Sequence, residues 1–145
     1  MAVPPSSVPM GAWTTGLCGC MEDRGSCCCA LFCPCVIVGR NANIVSDGNT
    51  DFGTACCLWF FLEILLGLGC FYSCGFRQKL RQKYMLPAKP CGDCCVHFYC
   101  FFCAICQESR ELKNRGWEPR LGYSGNTRRF MAAGKAPPTG QQMAR

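Results

Sequence analysis

Residues 54–76 read TACCLWFFLEILLGLGCFYSCGF, the longest apolar stretch of the chain. Glu63 is its single charged side chain. A helix of this length rises about 35 Å, which exceeds the roughly 30 Å hydrocarbon core of a bilayer. Aromatic side chains lie near both ends of the stretch, as interfacial anchors often do. The sequence therefore predicts a transmembrane helix over residues 54–76.

The charges that flank this stretch predict its orientation. Basic residues follow it between residues 77 and 83, whereas Asp47 and Asp51 precede it. Lys and Arg are enriched in cytoplasmic loops. The Arg77 end is therefore expected to face the cytosol, and the opposite end to face outward.

Two shorter apolar segments accompany the predicted span. Residues 26–39 are short for a bilayer crossing. Residues 91–106 contain Asp93 and His97 and suit a short span, a re-entrant helix or an interfacial helix. Residues 107–117 are predicted to continue that helix as a polar extension. The predicted fold class is mainly α, a small cysteine-rich membrane protein with one transmembrane helix and two shorter apolar helices.

The composition along the chain predicts three regions. Residues 1–12 are rich in Pro, Ser and Gly and are expected to form a disordered lead. Residues 13–117 form the predicted cysteine-rich membrane domain. Residues 118–145 are expected to be a mostly disordered tail, and no internal repeat is predicted.

Seventeen of the 145 residues are cysteine, an odd number that cannot all pair within one chain. Residues 1–9 lack the basic and apolar regions of a signal peptide, so the thiols are expected in a reducing compartment. Ala2 excludes N-myristoylation. The net charge of +6 suits nucleic acid or an anionic membrane. Because the basic clusters follow apolar segments, membrane lipids are the expected partner and nucleic acid is not.

The densest group of thiols lies in residues 27–35, which read CCCALFCPC. Three explanations remain open: contact with a soft metal ion, S-palmitoylation, or packing of small apolar side chains. Pro34 is expected to bend the helix and to present sulfur and carbonyl groups together. The candidate metal ligands here are Cys27, Cys28, Cys33 and Cys35.

A stripe of chemically active residues runs along the predicted central helix. Cys56, Glu63, Gly67, Cys70 and Cys74 recur at spacings that place them near one helical face. A carboxyl group near the bilayer centre usually faces a partner or a water-filled path. The stripe is therefore interpreted either as the lining of an ion route or as a helix–helix contact.

The third apolar segment holds a secondary group of candidate ligands. A CxxC pair is followed by cysteines at every third residue, and CxxC pairs are common halves of zinc sites. His97 is more often a structural hydrogen-bond partner than a ligand in such a setting. The possible secondary metal ligands are Cys91, Cys94, Cys100 and Cys103. No enzyme signature is present, so the chain is not expected to be an enzyme.

A series of short motifs runs in order along the chain. They are Trp13…Gly16-Leu17-Cys18, CCxxxxCPC at residues 27–35, Gly39, Asn43-Ile44, the basic run ending in Tyr84, Cys91-x-x-Cys94…His97…Cys100, and Cys106-Gln107-Glu108-Ser109-Arg110-Glu111-Leu112…Arg115-Gly116. Taken together in this order, the motifs resemble the placenta-specific gene 8 family, with its plant branch of cadmium resistance proteins and cell number regulators. The resemblance covers about residues 13–125.

The resemblance implies a small integral protein of the plasma membrane that forms homo-oligomers. It links the plant branch to cadmium tolerance and zinc efflux, or to limiting cell number, and it ties the CCxxxxCPC motif to metal tolerance. In this sequence that motif comprises Cys27, Cys28, Cys33, Pro34 and Cys35.

The resulting functional hypothesis is an oligomeric protein that moves zinc or cadmium out of the cytosol, with transient binding and no tightly bound cofactor. The thiols of residues 27–35 would capture the ion, and Glu63, Cys70 and Cys74 would line its route. One alternative is a cell number regulator that acts through membrane partners. The other is a metal buffer at the cytosolic face.

Overall fold

The computed structural model describes residues 11–88 and 92–135, apart from the side chain of Cys20. Within these ranges the chain is helical and contains no strand. Short 3-10 turns cover Cys20–Glu22 and Pro119–Leu121. The α-helices are α1 Arg24–Phe32, α2 Pro34–Val45, α3 Phe52–Leu66, α4 Gly69–Tyr84, α5 Asp93–Tyr99, α6 Phe101–Asn114 and α7 Gly122–Ala132.

The first apolar segment folds as two helices joined at Cys33. Asp23 caps α1 by accepting the Ser26 N–H, and the axis turns by 117° between α1 and α2. Pro34 occupies the first position of α2, where its missing N–H costs nothing and its ring would clash with a preceding helical turn. The bend predicted at Pro34 is therefore present, and it separates two helices whose axes differ by 117°.

The predicted continuous helix over residues 54–76 is wrong, because the chain turns between α3 and α4. Gly67 adopts the left-handed conformation with φ +64°, which ends α3 at Leu66. Ala55 and Phe76 belong to the same small buried cluster, so α4 returns alongside α3. A Cβ added to Gly69 would lie 2.5 Å from Glu63 Oε2 and 2.8 Å from Trp59 Nε1, so any other residue would displace these side chains.

No single helix in the described ranges has both the length and the apolar composition needed to span a membrane. The bent pair α1–α2 satisfies that test only when its two helices are taken together, and α3 is apolar but short.

The third apolar segment repeats the construction of the first. Cys100 separates α5 from α6 with φ −132° and ψ 54°, close to the φ −140° and ψ 71° of Cys33. The pattern CCxxxxC ends at each of these cysteines, beginning at Cys27 and at Cys94. The two segments thus share a short cysteine pattern that ends at a helix break.

A hydrophobic cluster at the end of the molecule away from these breaks joins the returning helices. It contains Ile44, Val45, Leu80, Tyr84, Leu86, Leu112, Trp117 and Phe130. Phe130 belongs to α7, so part of the predicted disordered tail is a helix packed on the core. Asn126, also in α7, is fully buried and bonds the backbone of Glu118. Residues 1–10 and 136–145 lie outside the described residues.

Candidate functional site

A cavity of about 570 Å³ opens where the three helix breaks meet. Residues around Cys33, around Gly67 and around Cys100 form its walls. The helix pairs on either side of these breaks, α1–α2, α3–α4 and α5–α6, are called hairpins below, and each supplies one side. The lining residues are Phe32, Cys33, Pro34, Cys35, Trp59, Phe60, Glu63, Ile64, Gly67, Cys70, His97, Phe98, Phe101 and Phe102.

The potential soft-metal ligands of this cavity are three thiols from two hairpins. Cys33 is exposed, whereas Cys35 and Cys70 are half-buried, and all three are free. The Cys56 thiol adjoins that of Cys35, although Cys56 itself does not line the cavity. The structure thus brings together Cys33 and Cys35 of the CPC motif with Cys70 of the predicted stripe.

Glu63 adds a carboxylate to the same cavity and stabilises the turn beside it. Its Oε2 accepts the Gly69 N–H at 3.0 Å, at the first residue of α4. A helix N-terminus carries partial positive charge and unsatisfied N–H groups, so a carboxylate there is favourable. Glu63 is exposed to the cavity mouth rather than held at the centre of a continuous helix.

Several predicted ligands lie outside the cavity lining. Cys27 and Cys28 precede Cys33 by more than one turn of α1, and Cys28 is exposed elsewhere. Cys74 is buried, its Sγ donates to the Phe71 carbonyl oxygen at 3.2 Å, and its thiol adjoins that of Cys94. The structure groups Cys74 with the third hairpin instead of with the Cys33 motif.

The secondary ligand set is dispersed in the structure. Cys94 is exposed near the start of α5, Cys100 is half-buried at the helix break, and Cys103 is half-buried in α6. Cys91 lies outside the described residues. Among the residues that are described, no three His, Cys, Asp or Glu side chains form a group that could hold one metal ion.

A buried polar network borders the cavity and was missed by sequence reasoning. His97 Nδ1 lies 2.9 Å from Ser73 Oγ, and His97 Nε2 lies 2.6 Å from Glu108 Oε1. Arg77 Nη2 donates to Gln107 Oε1 at 2.8 Å, and its Nη1 lies 3.7 Å from Glu108. His97 is thus the structural hydrogen-bond partner that was expected, within a network that includes the first residue of the basic run.

Several of the basic residues assigned to a membrane surface form ion pairs within the fold. Arg81 donates to both carboxylate oxygens of Asp93, at 2.6 to 3.0 Å. Arg115 Nε donates to Glu111 Oε1 at 2.6 Å with both side chains fully buried. The polar extension of the third segment is therefore the centre of the fold. In the sequence this region is marked by residues 107–111, which read QESRE. They place acidic and basic side chains directly after an apolar stretch.

Asp23 joins the first hairpin to this network. Its carboxylate caps α1, accepts the Ser26 hydroxyl at 2.6 Å and pairs with Lys113. Burial disfavours the charged carboxylate, but the hydrogen bonds from Lys113 and Ser26 outweigh burial and lower the pKa of Asp23 to about 2.

One known protein family matches most of the chain. The sequence profile of the PLAC8 family matches residues 13–111, from the contact of Trp13 with Arg77 to the buried Glu111. The chain belongs to the PLAC8 family. The resemblance inferred from the motifs is thereby confirmed. No solved structure gives a significant match.

Curated relatives of this PLAC8 chain carry two kinds of name. Cell number regulator 4 of Zea mays is 48% identical over 118 residues, covering 79% of this chain and 74% of the relative. Protein PLANT CADMIUM RESISTANCE 2 of Arabidopsis thaliana is 42% identical, covering 82% and 78%. Cell number regulator 10 of Zea mays is 42% identical, covering 99% and 92%.

Proposed function

We propose that this PLAC8 chain is an integral plasma-membrane protein that captures zinc or cadmium ions at the cavity and thereby supports metal tolerance. The observation that carries the proposal is the joint lining of one cavity by Cys33, Cys35, Cys70 and Glu63. Thiolates select thiophilic ions, and a carboxylate adds a negative donor for a divalent cation. One relative is named for cadmium resistance.

Capture begins at the CPC motif in this proposal. Cys33 is exposed and lies at the helix break, so an incoming ion meets this thiol before the half-buried Cys35. Cys70 and Glu63 then offer further donors across the cavity. An ion held by few donors at a time exchanges readily, and metal tolerance requires such exchange if the ion is to be passed on. A closed site of four thiolates would prevent the release of the ion.

Efflux by a homo-oligomer is the extended form of the proposal. Copies of the chain would assemble in the membrane and pass the ion between cavities. Vesicles that contain only this protein separate the alternatives. Cadmium flux supports efflux, binding without flux supports buffering, and neither result supports the regulator.

The role proposed is binding, without catalysis. Ser73, His97 and Glu108 form a hydrogen-bonded row, but Ser73 is only 2% exposed and its Oγ donates to the Cys70 carbonyl oxygen at 3.2 Å. A hydroxyl held in this way is withdrawn from any substrate, so the row serves to fix α4, α5 and α6 together.

The test is cadmium tolerance of a metal-sensitive cell that expresses the full chain. Cys33→Ser combined with Cys35→Ser is expected to abolish tolerance at equal surface expression, because both thiols of the CPC motif are removed. Cys18→Ser, an exposed cysteine before α1, is the matched control and is expected to retain tolerance. Unchanged tolerance in the double variant would overturn the capture role.

A second candidate function is restraint of cell number through protein partners. It is favoured by the name of the relative with 48% identity. The same Cys33→Ser, Cys35→Ser double variant discriminates the two. A regulator independent of metal keeps its effect on cell number in the double variant, whereas metal capture is lost.

A further inference from the structure

Each of the three helical hairpins is built from a stretch that is almost free of charge. The helix break lies inside each stretch, at Cys33, at Gly67 and at Cys100. Glu63 is the single Asp, Glu, Lys or Arg within the three stretches, and it bonds the turn of its own hairpin. The charged residues that bound the stretches are Arg24 and Arg40, Asp51 and Arg77, and Asp93 and Glu108.

The tips of these hairpins expose large apolar side chains in one region. Among the described residues, thirteen of the eighteen exposed large hydrophobic side chains lie within nine residues of one of the three breaks. Phe32 is 85% exposed, Leu65 73% and Tyr99 76%. The full group is Leu31, Phe32, Leu58, Phe60, Phe61, Ile64, Leu65, Leu66, Leu68, Phe71, Phe98, Tyr99 and Phe102.

The two ends of the α3–α4 hairpin lie together on the opposite side of the fold. Lys83, near the end of α4, pairs with Asp47, which precedes α3, at 2.5 Å. These residues flank residues 54–76 in sequence and would lie on opposite membrane faces if that stretch crossed the bilayer. Their ion pair requires that both flanks share one side.

We propose that the three hairpin tips insert into the acyl chains of one membrane leaflet and that the chain leaves by the side it entered. The distance fits, since Leu58 to Leu66 spans about 12 Å of helix, against about 15 Å for half of a 30 Å hydrocarbon core. This inference rests on the proposed membrane residence but not on metal binding. With the tips in one leaflet the cavity does not extend across the bilayer, so the inference favours capture and buffering over efflux.

Backbone N–H groups at the tip of the α3–α4 hairpin form hydrogen bonds within the protein, as insertion into hydrocarbon requires. Three successive N–H groups at the break are bonded within the hairpin: Gly67 to the Glu63 carbonyl oxygen at 3.0 Å, Leu68 to the Leu62 carbonyl oxygen at 3.1 Å, and Gly69 to the Glu63 carboxylate. In hydrocarbon an unbonded backbone group is costly. The three N–H groups of the tip meet this requirement, and its side chains are those that acyl chains favour.

The topology is tested by amine labelling of the full chain in sealed vesicles of defined orientation. Asn49→Lys introduces a lysine in the exposed turn before α3, and the exposed Lys79 of α4 reports the other flank. An impermeant amine reagent followed by peptide mass spectrometry is expected to label both sites in one orientation and neither in the other. Labelling of the two sites from opposite sides would overturn one-leaflet insertion.

Insertion of the tips is tested by flotation with phosphatidylcholine vesicles. Leu65→Lys is expected to lower the bound fraction at least tenfold, because charge in the acyl region is costly. Met131→Lys on α7, 70% exposed in the wild type, is the matched control and is expected to bind normally. Phe32→Lys repeats the test on a second hairpin.

Other results of the flotation experiment decide against the inference. Equal binding of all variants would show that the tips are not in lipid. Loss of an oligomer with unchanged flotation would assign the patch to a second copy of the chain. Failure of the wild type to float would overturn the proposed membrane residence itself, while cadmium binding in detergent still tests metal capture separately.

Discussion

The Glu108 carboxylate lies beside the His97 ring and the Arg77 guanidinium at the buried centre of the fold. His97 Nε2 lies 2.6 Å away and Arg77 Nη1 lies 3.7 Å away, and all three residues are at most 3% exposed. A buried arginine is costly unless its charge is balanced, and within the described residues only Nη2 of Arg77 makes a hydrogen bond, so the neighbouring carboxylates carry the compensation. Arg77 also stacks on the Trp13 ring at 4.3 Å, which spreads its charge over an aromatic face.

Glu108→Gln is therefore expected to lower the free energy of unfolding by about 3 kcal/mol, because in the described part of the chain the buried Arg77 then has only the Asp93 carboxylate, 3.6 Å from its Nε and itself paired with Arg81, as a counter-charge. The measurement is denaturant unfolding of the detergent-solubilised chain, followed by far-ultraviolet circular dichroism. Lys79→Ala, at an exposed position of the same helix as Arg77, is the control and is expected to change stability by less than about 0.5 kcal/mol. A change that small for Glu108→Gln would contradict the structural role.

Asp23 makes a pH-dependent contribution at the start of α1. Because its pKa falls from 3.8 to about 2 on folding, the stabilisation is complete above about pH 4 and is lost as the pH falls toward 2. Asp23→Ala is expected to cost about 1 kcal/mol at pH 7 through loss of the helix cap. The difference in unfolding free energy between wild type and variant should shrink as the pH is lowered to 2; a constant difference would argue against the carboxylate.

At the scale of the element, a single backbone angle at Gly67 decides that residues 52–84 are a hairpin. A side chain at φ +64° is strained even in open space, and no atom lies within 4 Å of a Cβ built there. Gly75 lies inside α4 and its Cβ would also meet nothing within 4 Å, but it has no positive φ. Alanine substitutions at Gly67 and Gly75 therefore distinguish the cost of backbone strain from the cost of side-chain packing.

Gly67→Ala is expected to destabilise the protein by about 1 kcal/mol, whereas Gly75→Ala is expected to stabilise it by about 0.5–1 kcal/mol through helix propensity. Gly67→Asn should cost less than Gly67→Ala because asparagine tolerates the left-handed region. Thermal melts of Gly67→Ala, Gly67→Asn and Gly75→Ala measure these changes in stability. Equal signs at positions 67 and 75 would contradict the assigned turn.

At the scale of the whole molecule, the cavity exists only because three hairpins close against one another. Glu63→Gln keeps an oxygen that can accept the Gly69 N–H but removes the negative charge. We expect cadmium affinity to fall on the order of tenfold, about 1.4 kcal/mol, with the helical signal unchanged. Competition with a chromophoric chelator measures the affinity, and Glu22→Gln, at an exposed site before α1, is the control. Equal affinities would remove Glu63 from the proposed route.

The sequence by itself determined the helical class, the apolar segments, the family and the thiols of the CPC motif. Each of these depends on local properties: composition, spacing, the ring of Pro34 and the order of short motifs. The role of His97 as a structural hydrogen-bond partner also followed from its isolation among apolar neighbours. The helix break at residues 67–68 was readable in principle, since GLG interrupts the apolar run.

Only the tertiary structure decided which charges are internal and which thiols share a cavity. Arg77 and Arg81 look like a cationic flank along the chain, and they meet Glu108 and Asp93 only after α4, α5 and α6 pack together. Cys33, Glu63 and Cys70 line one cavity because the break between α1 and α2 lies beside the turn between α3 and α4. Such pairings depend on long-range closure, which lets a buried charge find its partner and which no local pattern encodes.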